Sequence, residues 1–323
     1  MTRKLLTALI IILGINSYGQ SSLNLGSDVW PPFTNEGSER SIAFDIVKEG
    51  LARNSVGMQA QLLGFKEVLS GIEEGNFDGS AALWKTEERE EIMIFSEPYL
   101  ENRLILVGLK GTEVNYQSIE ELKNQRLGVV ANYAYEADLL NADNVQLVYG
   151  KSDQDNLEKL FDNKIDFMLV DELLIQYLLK YQYNDVQTYL NIAEQAFQTQ
   201  KLYLALRKDV PNAQSIIDGF NTSIKEMMLD GTYNRILDLD ILQLDVNGDG
   251  VVELIFNGKN LSEDASEKSY SIFYYDRSDK KRTQYYMNGK SYTSINLMKK
   301  NIGEVESIRA DNANYDSGLK IKF

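Results

Sequence analysis

Residues 79–99 read Gly-Ser-Ala-Ala-Leu-Trp-Lys-Thr-Glu-Glu-Arg-Glu-Glu-Ile-Met-Ile-Phe-Ser-Glu-Pro-Tyr. The run Ser80–Leu83 is small and apolar, which predicts the end of a buried strand. Thr86 follows as a helix N-cap, with Glu87 and Glu88 in the first turn, where the macrodipole favours acids. Arg89 shares that turn and is electrostatically misplaced there. A residue that breaks a local rule is a candidate functional residue. Its place, just past the carboxyl end of a strand, is where open α/β sheets bind ligands. A guanidinium at that point can hold a carboxylate through two parallel hydrogen bonds. Spacing alone leaves the plainer alternative open, a solvated Arg among Glu87, Glu88, Glu90 and Glu91.

Outward from this stretch, strands and helices alternate. Leu23–Val29 predicts a strand stopped by Trp30-Pro31-Pro32-Phe33, since proline cannot donate to a ladder. Ile42–Leu51 has apolar residues at helical spacing, Gln59–Leu63 is strand-like, Phe65–Ile72 is helical, and Phe77–Leu83 is a third strand. Arg103–Leu109 is a continuous apolar strand leading to Gly111, a crossing to a second unit. That unit repeats the alternation: strands at Arg126–Val130, Val145–Tyr149 and Ile165–Val170, helices at Ala134–Leu140, Asn156–Phe161 and Glu172–Tyr181. Lys201–Leu206 returns as a strand, and Pro211–Met228 is an amphipathic helix with proline at its start. Alternation of this kind implies parallel, buried sheet. The expected fold is α/β, two lobes facing a cleft with ligand between them.

After Leu239 helical periodicity stops. Short β-rich runs follow at Val251–Phe256, Ser271–Tyr275, Thr283–Tyr286, Tyr292–Leu297 and Leu319–Phe323, and Asn288-Gly289 signals a hairpin. This predicts a small all-β appendage. The expected division is 1–19 as a signal segment, 20–108 with 200–240 as one lobe, 109–199 as the other, and 241–323 as the appendage.

The chain has 323 residues, no cysteine and no histidine. The first 19 residues combine Arg3 and Lys4, the apolar run Leu5–Ile15 and the small-x-small site Ser17-Tyr18-Gly19, which reads as a cleaved secretion signal. The apolar run is short for a bilayer span of ~20 residues. The expectation is a soluble exported monomer, starting near Gln20, with no lipid-modified cysteine and no membrane insertion. Absence of histidine removes the commonest general base and the commonest transition-metal ligand. Net charge is −15, and 241–323 is balanced, so the acidic excess lies in the two lobes. That argues against nucleic acid or an anionic membrane as partner.

The pattern Thr86-x-x-Arg89, then Phe95-Ser96-x-Pro98-Tyr99, together with the Leu-Arg-Lys-Asp-x-Pro passage at 206–211, resembles family 3 of the bacterial extracellular solute-binding proteins. These are periplasmic proteins of polar amino-acid uptake. The resemblance runs from about Leu23 to about Leu239. It implies a two-lobed periplasmic-binding-protein fold of type II with two hinge-crossing strands, and a clamp in which Arg89 holds the ligand carboxylate. It further implies Trp30 and Phe65 as aromatic walls and Asp171, directly after the strand Ile165–Val170, as partner of the ligand ammonium. Asp171 can equally be an N-cap for the helix after it.

The sequence departs from the family in two places. Small hydroxyl residues ahead of the Thr-x-x-Arg motif are replaced by Ala81, Ala82, Leu83, Trp84 and Lys85, and this segment is one residue shorter. The Gly-Thr that opens the second-lobe helix becomes Asn132-Tyr133, followed by Tyr135. Trp84, Tyr133 and Tyr135 would therefore narrow or reshape the pocket.

A second motif is Asp245-Val246-Asn247-Gly248-Asp249-Gly250-Val251-Val252-Glu253. Oxygens at alternate positions with a glycine turn suit Ca²⁺. An EF-hand would need a bidentate Glu where Phe256 stands. The loop instead resembles calcium loops of integrin-type propeller blades, with ligands Asp245, Asn247, Asp249, Glu253 and the Val251 carbonyl. A metal-free turn between strands is the alternative.

The leading function is capture of a small carboxylate-bearing solute for an ABC-type importer and its permease. Two alternatives stay open. One is a lyase on the same fold, similar to cyclohexadienyl dehydratase, with Glu172 as base. The other is a ligand-sensing module that acts through a partner protein.

Overall fold

A computed structural model describes residues 22–35, 41–175, 186–237, 241–256 and 283–300. The signal segment, most of the helix expected at Glu172–Tyr181 and the runs Ser271–Tyr275 and Leu319–Phe323 lie outside those residues.

Strand–helix alternation produces the expected architecture. The first lobe contains β1 (Ser22–Ser27), α1 (Ile42–Ala52), β2 (Gly57–Leu62), α2 (Phe65–Glu73), β3 (Gly79–Trp84), α3 (Glu87–Ile92) and β4 (Met93–Phe95). Then β5 (Leu100–Leu109) leads to β6 (Arg126–Val130), α4 (Ala137–Leu140), β7 (Gln146–Gly150), α5 (Asp153–Phe161), β8 (Phe167–Asp171) and β9 (Leu190–Ile192). The return strand β10 (Gln198–Arg207) leads to α6 (Ala213–Asp230) and α7 (Thr232–Leu237).

One sheet runs through both lobes in the order β2-β1-β3-β10-β5-β8-β6-β7, with β4 beside β10 and β9 beside β5. Within each lobe the neighbours β1–β2, β1–β3, β6–β7 and β6–β8 are parallel. The lobes meet where β5 and β10 pair antiparallel, from Gln198 opposite Leu104 to Leu202 opposite Leu100. Beyond that, β5 continues against β8, and β10 against β3. Both strands are longer than the sequence predicts, because ladder bonds on both sides carry polar residues such as Asn102 and Gln200 into sheet where hydrophobicity alone would end it.

Helix α1 buries Ile42, Ala43, Ile46, Val47 and Leu51, the face its spacing predicts, and packs on α6. Pro211 falls in a turn ahead of α6, with Asn212 in left-handed conformation at φ 62° before the first helical residue. The helix expected over Ala134–Leu140 shrinks to Ala137–Leu140. The Val130 N–H donates to the Tyr135 hydroxyl at 2.9 Å, which folds 131–136 back on the strand end instead of letting it coil.

The extension forms its own sheet, β11 (Ile241–Leu244), β12 (Val252–Phe256), β13 (Thr283–Met287) and β14 (Lys290–Tyr292) in that spatial order, with α8 (Ile295–Lys300) after it. Asn288 (φ 51°) and Gly289 (φ 75°) make the tight turn between β13 and β14. The predicted strand Tyr292–Leu297 is instead a strand end and the start of α8, so the extension is not all-β. Nor is it hung loosely on the lobe. Leu242, Leu244, Val246 and Ile255 belong to the main hydrophobic core, and Asn234 of α7 donates to the Ile255 carbonyl at 2.8 Å.

Candidate functional site

The first lobe presents its site residues from three strand ends. After β1, residues 28–34 form a closed turn: the Trp30 N–H donates to the Thr34 carbonyl at 2.8 Å, and Thr34 Oγ1 donates to the Asp28 carbonyl at 2.7 Å. That turn sets Asp28 and Trp30 at the cleft. After β2, Phe65 begins α2, where Glu67 caps the Gly64 N–H at 2.8 Å. After β3, Thr86 accepts the Arg89 N–H at 3.2 Å as the N-cap of α3 and so fixes where the Arg89 side chain begins.

The second lobe reaches across with one turn. Asn132 follows β6 in left-handed conformation at φ 67°, and Tyr133 points into the cleft. The Tyr133 hydroxyl donates to Asp28 Oδ2 at 3.0 Å. Its ring centroid lies 5.8 Å from Trp30, 5.2 Å from Phe65 and 5.3 Å from Trp84. Edge-on and tilted rings at these separations attract beyond the area they bury. Arg89 completes the cluster. Its guanidinium donates to the Trp84 carbonyl at 2.6 Å and, across the cleft, to the Asn132 carbonyl at 3.2 Å, and lies 5.5 Å from the Phe65 ring centroid. The space left among Asp28, Trp30, Phe65, Trp84, Arg89 and Tyr133 is about 10 Å³, room for roughly one water. A second, open cavity of about 430 Å³ adjoins it, lined in part by Asp28, Phe65, Tyr133, Lys151 and Asp153.

The electrostatics are those of a cleft short of counter-charge. Among the described residues Arg89 forms no ion pair, and burial lowers its pKa to about 10. Burial raises Asp28 to about 6, against the opposing bond from Tyr133. Asp153, the first residue of α5 on the second lobe, is raised to about 7 by burial and then by the charge of Asp28. Among the described residues its carboxyl takes a hydrogen bond only from its own backbone N–H.

Of the residues expected at the site, Arg89, Trp30, Phe65, Trp84 and Tyr133 come together. Asp171 does not join them. It ends β8 and caps the helical turn after it, accepting the N–H groups of Leu173 (2.7 Å) and Leu174 (3.2 Å). It connects to the cluster only through Asn102, which accepts from Trp84 Nε1 at 2.7 Å. Asp171 Oδ2 and Asn102 Nδ2 are both buried without a completed hydrogen bond. Burial raises Asp171 to about 8. Thr86 acts through the Arg89 backbone rather than lining the cavity. Tyr135 packs against Trp84 at 5.7 Å as part of the second-lobe core.

Sequence reasoning missed Asp28, Asn102, Asn132 and Asp153. Asp28 carried a usable signal, a polar residue at a strand end two places before Trp30. Asn132 contributes a backbone carbonyl, which no side-chain pattern announces.

In the loop 245–253 the acids hold backbone. Asp245 accepts the N–H groups of Asp249 (3.1 Å) and Gly250 (2.8 Å), Asp249 accepts that of Val251 (2.8 Å), and Glu253 accepts that of Val246 (2.8 Å) and the Asn247 amide (3.4 Å). Among the described residues no three acidic side chains converge as a metal cluster would require. No helix among the described residues is long and apolar enough to cross a membrane.

Comparison with known proteins gives a consistent set. The family profile of the bacterial extracellular solute-binding proteins, family 3, matches residues 23–239. The L-cystine-binding protein TcyJ of Escherichia coli (strain K12) is 28% identical over 214 residues, covering 64% of this chain and 77% of the relative. The ABC transporter arginine-binding protein 1 of the same strain is 23% identical over 247 residues, covering 74% of this chain and 98% of the relative. Among solved structures, an ancestral arginine-binding protein bound to arginine superposes with a TM-score of 0.58 at 22% identity, covering 68% of this chain and 97% of that one. That likeness establishes the two-lobed fold.

Proposed function

The chain belongs to the bacterial extracellular solute-binding proteins, family 3, and from that premise we propose that its cleft captures a small carboxylate-bearing solute, an amino acid or a derivative, for ABC-type import. The observation that carries this reading is Arg89, a half-buried guanidinium at the lobe interface that, among the described residues, has two carbonyl acceptors and no carboxylate. A carboxylate can take two parallel bonds from a guanidinium and adds an opposite charge, which a neutral carbonyl does not. A solute carboxylate is therefore the partner that this site lacks. The relatives named for cystine and arginine binding favour amino acids within that class. Closure about the β5–β10 crossing would bring the second-lobe turn onto the solute. Export by cleavage near Gln20 and delivery to a permease complete the reading.

Thermal-shift titration against amino acids and small carboxylates tests it. A ligand at a hundred times its dissociation constant stabilises by ~2.7 kcal/mol. A hit that disappears in Arg89→Ala is the expected result, and a hit that survives the substitution removes Arg89 from the site. The lyase alternative has less support: Glu172 is ion-paired to Arg103 at 3.2 Å, so it is no desolvated free base.

On the spacing of its oxygens, the loop 245–253 is also proposed to take Ca²⁺ as a stabiliser of the extension. A cation would have to draw together Asp245, Asn247, Asp249, Glu253 and the Val251 carbonyl, whose acids now cap amides. Millimolar calcium should raise the melting midpoint in the parent and not in Asp249→Asn. An unmoved parent midpoint removes calcium from the account.

A further inference from the structure

The groups around Tyr133 hold it as a site holds a ligand. One end of the Asn132–Tyr133 pair offers a carbonyl to Arg89 (3.2 Å), the middle places a flat ring among Trp30, Phe65 and Trp84, and the far end gives a hydroxyl to Asp28 (3.0 Å). The backbone adopts φ +67° at Asn132, a left-handed conformation uncommon for any residue but glycine, though asparagine tolerates it best. With Tyr133 in place, about 10 Å³ is left inside the cage of Trp30, Phe65, Trp84 and Arg89, too little there for an amino acid.

We propose that Asn132–Tyr133 is a tethered occupant of the solute site. Capture is then an exchange: the Tyr133 ring leaves the aromatic cage for a solute presenting an acceptor to Arg89, a flat body to the cage, and a hydrogen-bond donor to Asp28. This rests on the reading that the cleft binds a carboxylate-bearing solute, and adds what that solute must displace.

Three observations favour exchange over a permanent wall. The tether serves a cation and a carboxylate with neutral groups, so a solute with charged ends makes the stronger bonds at both. The adjoining cavity of about 430 Å³, lined by Tyr133 itself, gives the ring somewhere to turn. Asp153, buried at 7% exposure with no side-chain partner among the described residues, lines that cavity next to Asp28 and is a second acceptor for the donor end of an incoming solute. Specificity follows from the same arrangement. A tethered group competes at an effective concentration of order millimolar, so a solute matching only one end does not displace it.

The chain has two tryptophans, Trp30 and Trp84, and both pack on Tyr133. Their emission therefore reads the exchange directly. The experiment titrates the full chain, its Tyr133→Ala variant and its Tyr133→Phe variant with the twenty amino acids, and separately with p-cresol and toluene. Removing an occupant restores the affinity it withheld. At least one amino acid should thus bind Tyr133→Ala about tenfold or more tighter than it binds the parent, with Tyr133→Phe between them. Equal or weaker binding in the variants overturns the proposal. p-Cresol should bind Tyr133→Ala in clear preference to toluene, since only p-cresol carries the donor for Asp28. Toluene binding as well as p-cresol marks an ordinary core void and overturns it too. If p-cresol is preferred and no amino acid binds either protein, the tethered occupant stands and the amino-acid reading falls. Should Tyr133→Ala fail to fold, Tyr133→Phe decides by the same criterion of tighter binding than the parent.

Discussion

Gly79 shows how narrowly single residues are fixed within the sheet. A Cβ built there would lie 1.9 Å from the Ala205 carbonyl oxygen, on the seam between β3 and β10. Backbone on both sides cannot yield as a flexible side chain would. Gly79→Ala should therefore cost about 3 kcal/mol or more, as overpacking at an unyielding contact does, read as a drop in the urea midpoint. A cost under about 1 kcal/mol would mean that the seam is looser than described. At this scale the sequence was partly legible. Arg89 stood out because a cation in a first helical turn contradicts the dipole, and Trp30 and Phe65 because they sit at element boundaries. Asp171 read two ways: its side chain caps helix N–H groups, as one reading had it, and nothing in a strand-end Asp distinguishes a cap from a ligand partner. Asn102 was illegible, since its role depends on Trp84, 18 positions away and on another strand.

Among the elements, α3 is the one that turns a sequence signal into a site. It has six residues and no buried side chain, so packing contributes little to holding it. Its cap carries it instead. Thr86→Ala should cost about 1 kcal/mol, the usual value of a lost N-cap bond, and should weaken solute binding more than that stability loss explains, because Arg89 is the residue the cap pins. Equal stability with unchanged binding would show that Arg89 is held by its guanidinium contacts alone. Elements with clear apolar periodicity, such as α1 and α2, were readable. The turn 131–136 was not. Its composition reads as helix, but the Val130 N–H bonds to the Tyr135 side-chain hydroxyl, a contact that composition does not announce. The β14–α8 segment failed for a related reason, a short apolar run that fits either period.

Over the whole molecule, buried acids set the pH response. Asp171 (about 8), Glu101 (about 7), Asp153 and Asp28 all hold protons more tightly in the fold than in the unfolded chain, chiefly through burial. Unfolded carboxyls titrate near ~4. Between that value and the folded ones the native state binds more protons, so stability falls as pH rises. The acids held low by partners, Asp155 with Lys159, Asp166 with Arg126 and Asp209 with Arg207, change below pH ~4 and leave this window untouched. The melting midpoint should drop from pH 5.5 to 8.5, and Asp171→Asn should flatten the drop and melt higher than the parent at pH 8.5. A midpoint that climbs over this range would refute the burial of these charges. Two-lobe architecture was legible from alternation and the return strand. That one sheet joins both lobes, and that the extension shares their core, was not, because neither follows from local pattern.

The crossing of β5 and β10 has a mechanical side. Its residues, Leu-Glu-Asn-Arg-Leu at 100–104 and Gln-Thr-Gln-Lys-Leu at 198–202, include no glycine and no proline, and they are paired rung by rung. Such a joint does not swivel freely; it twists as a ribbon, and twisting it away from its resting angle builds a restoring torque. The cleft thus works as a sprung clasp. In this structure the ribbon already closes the lobes on each other through Arg89 and Tyr133, so it is opening of the cleft that loads the spring.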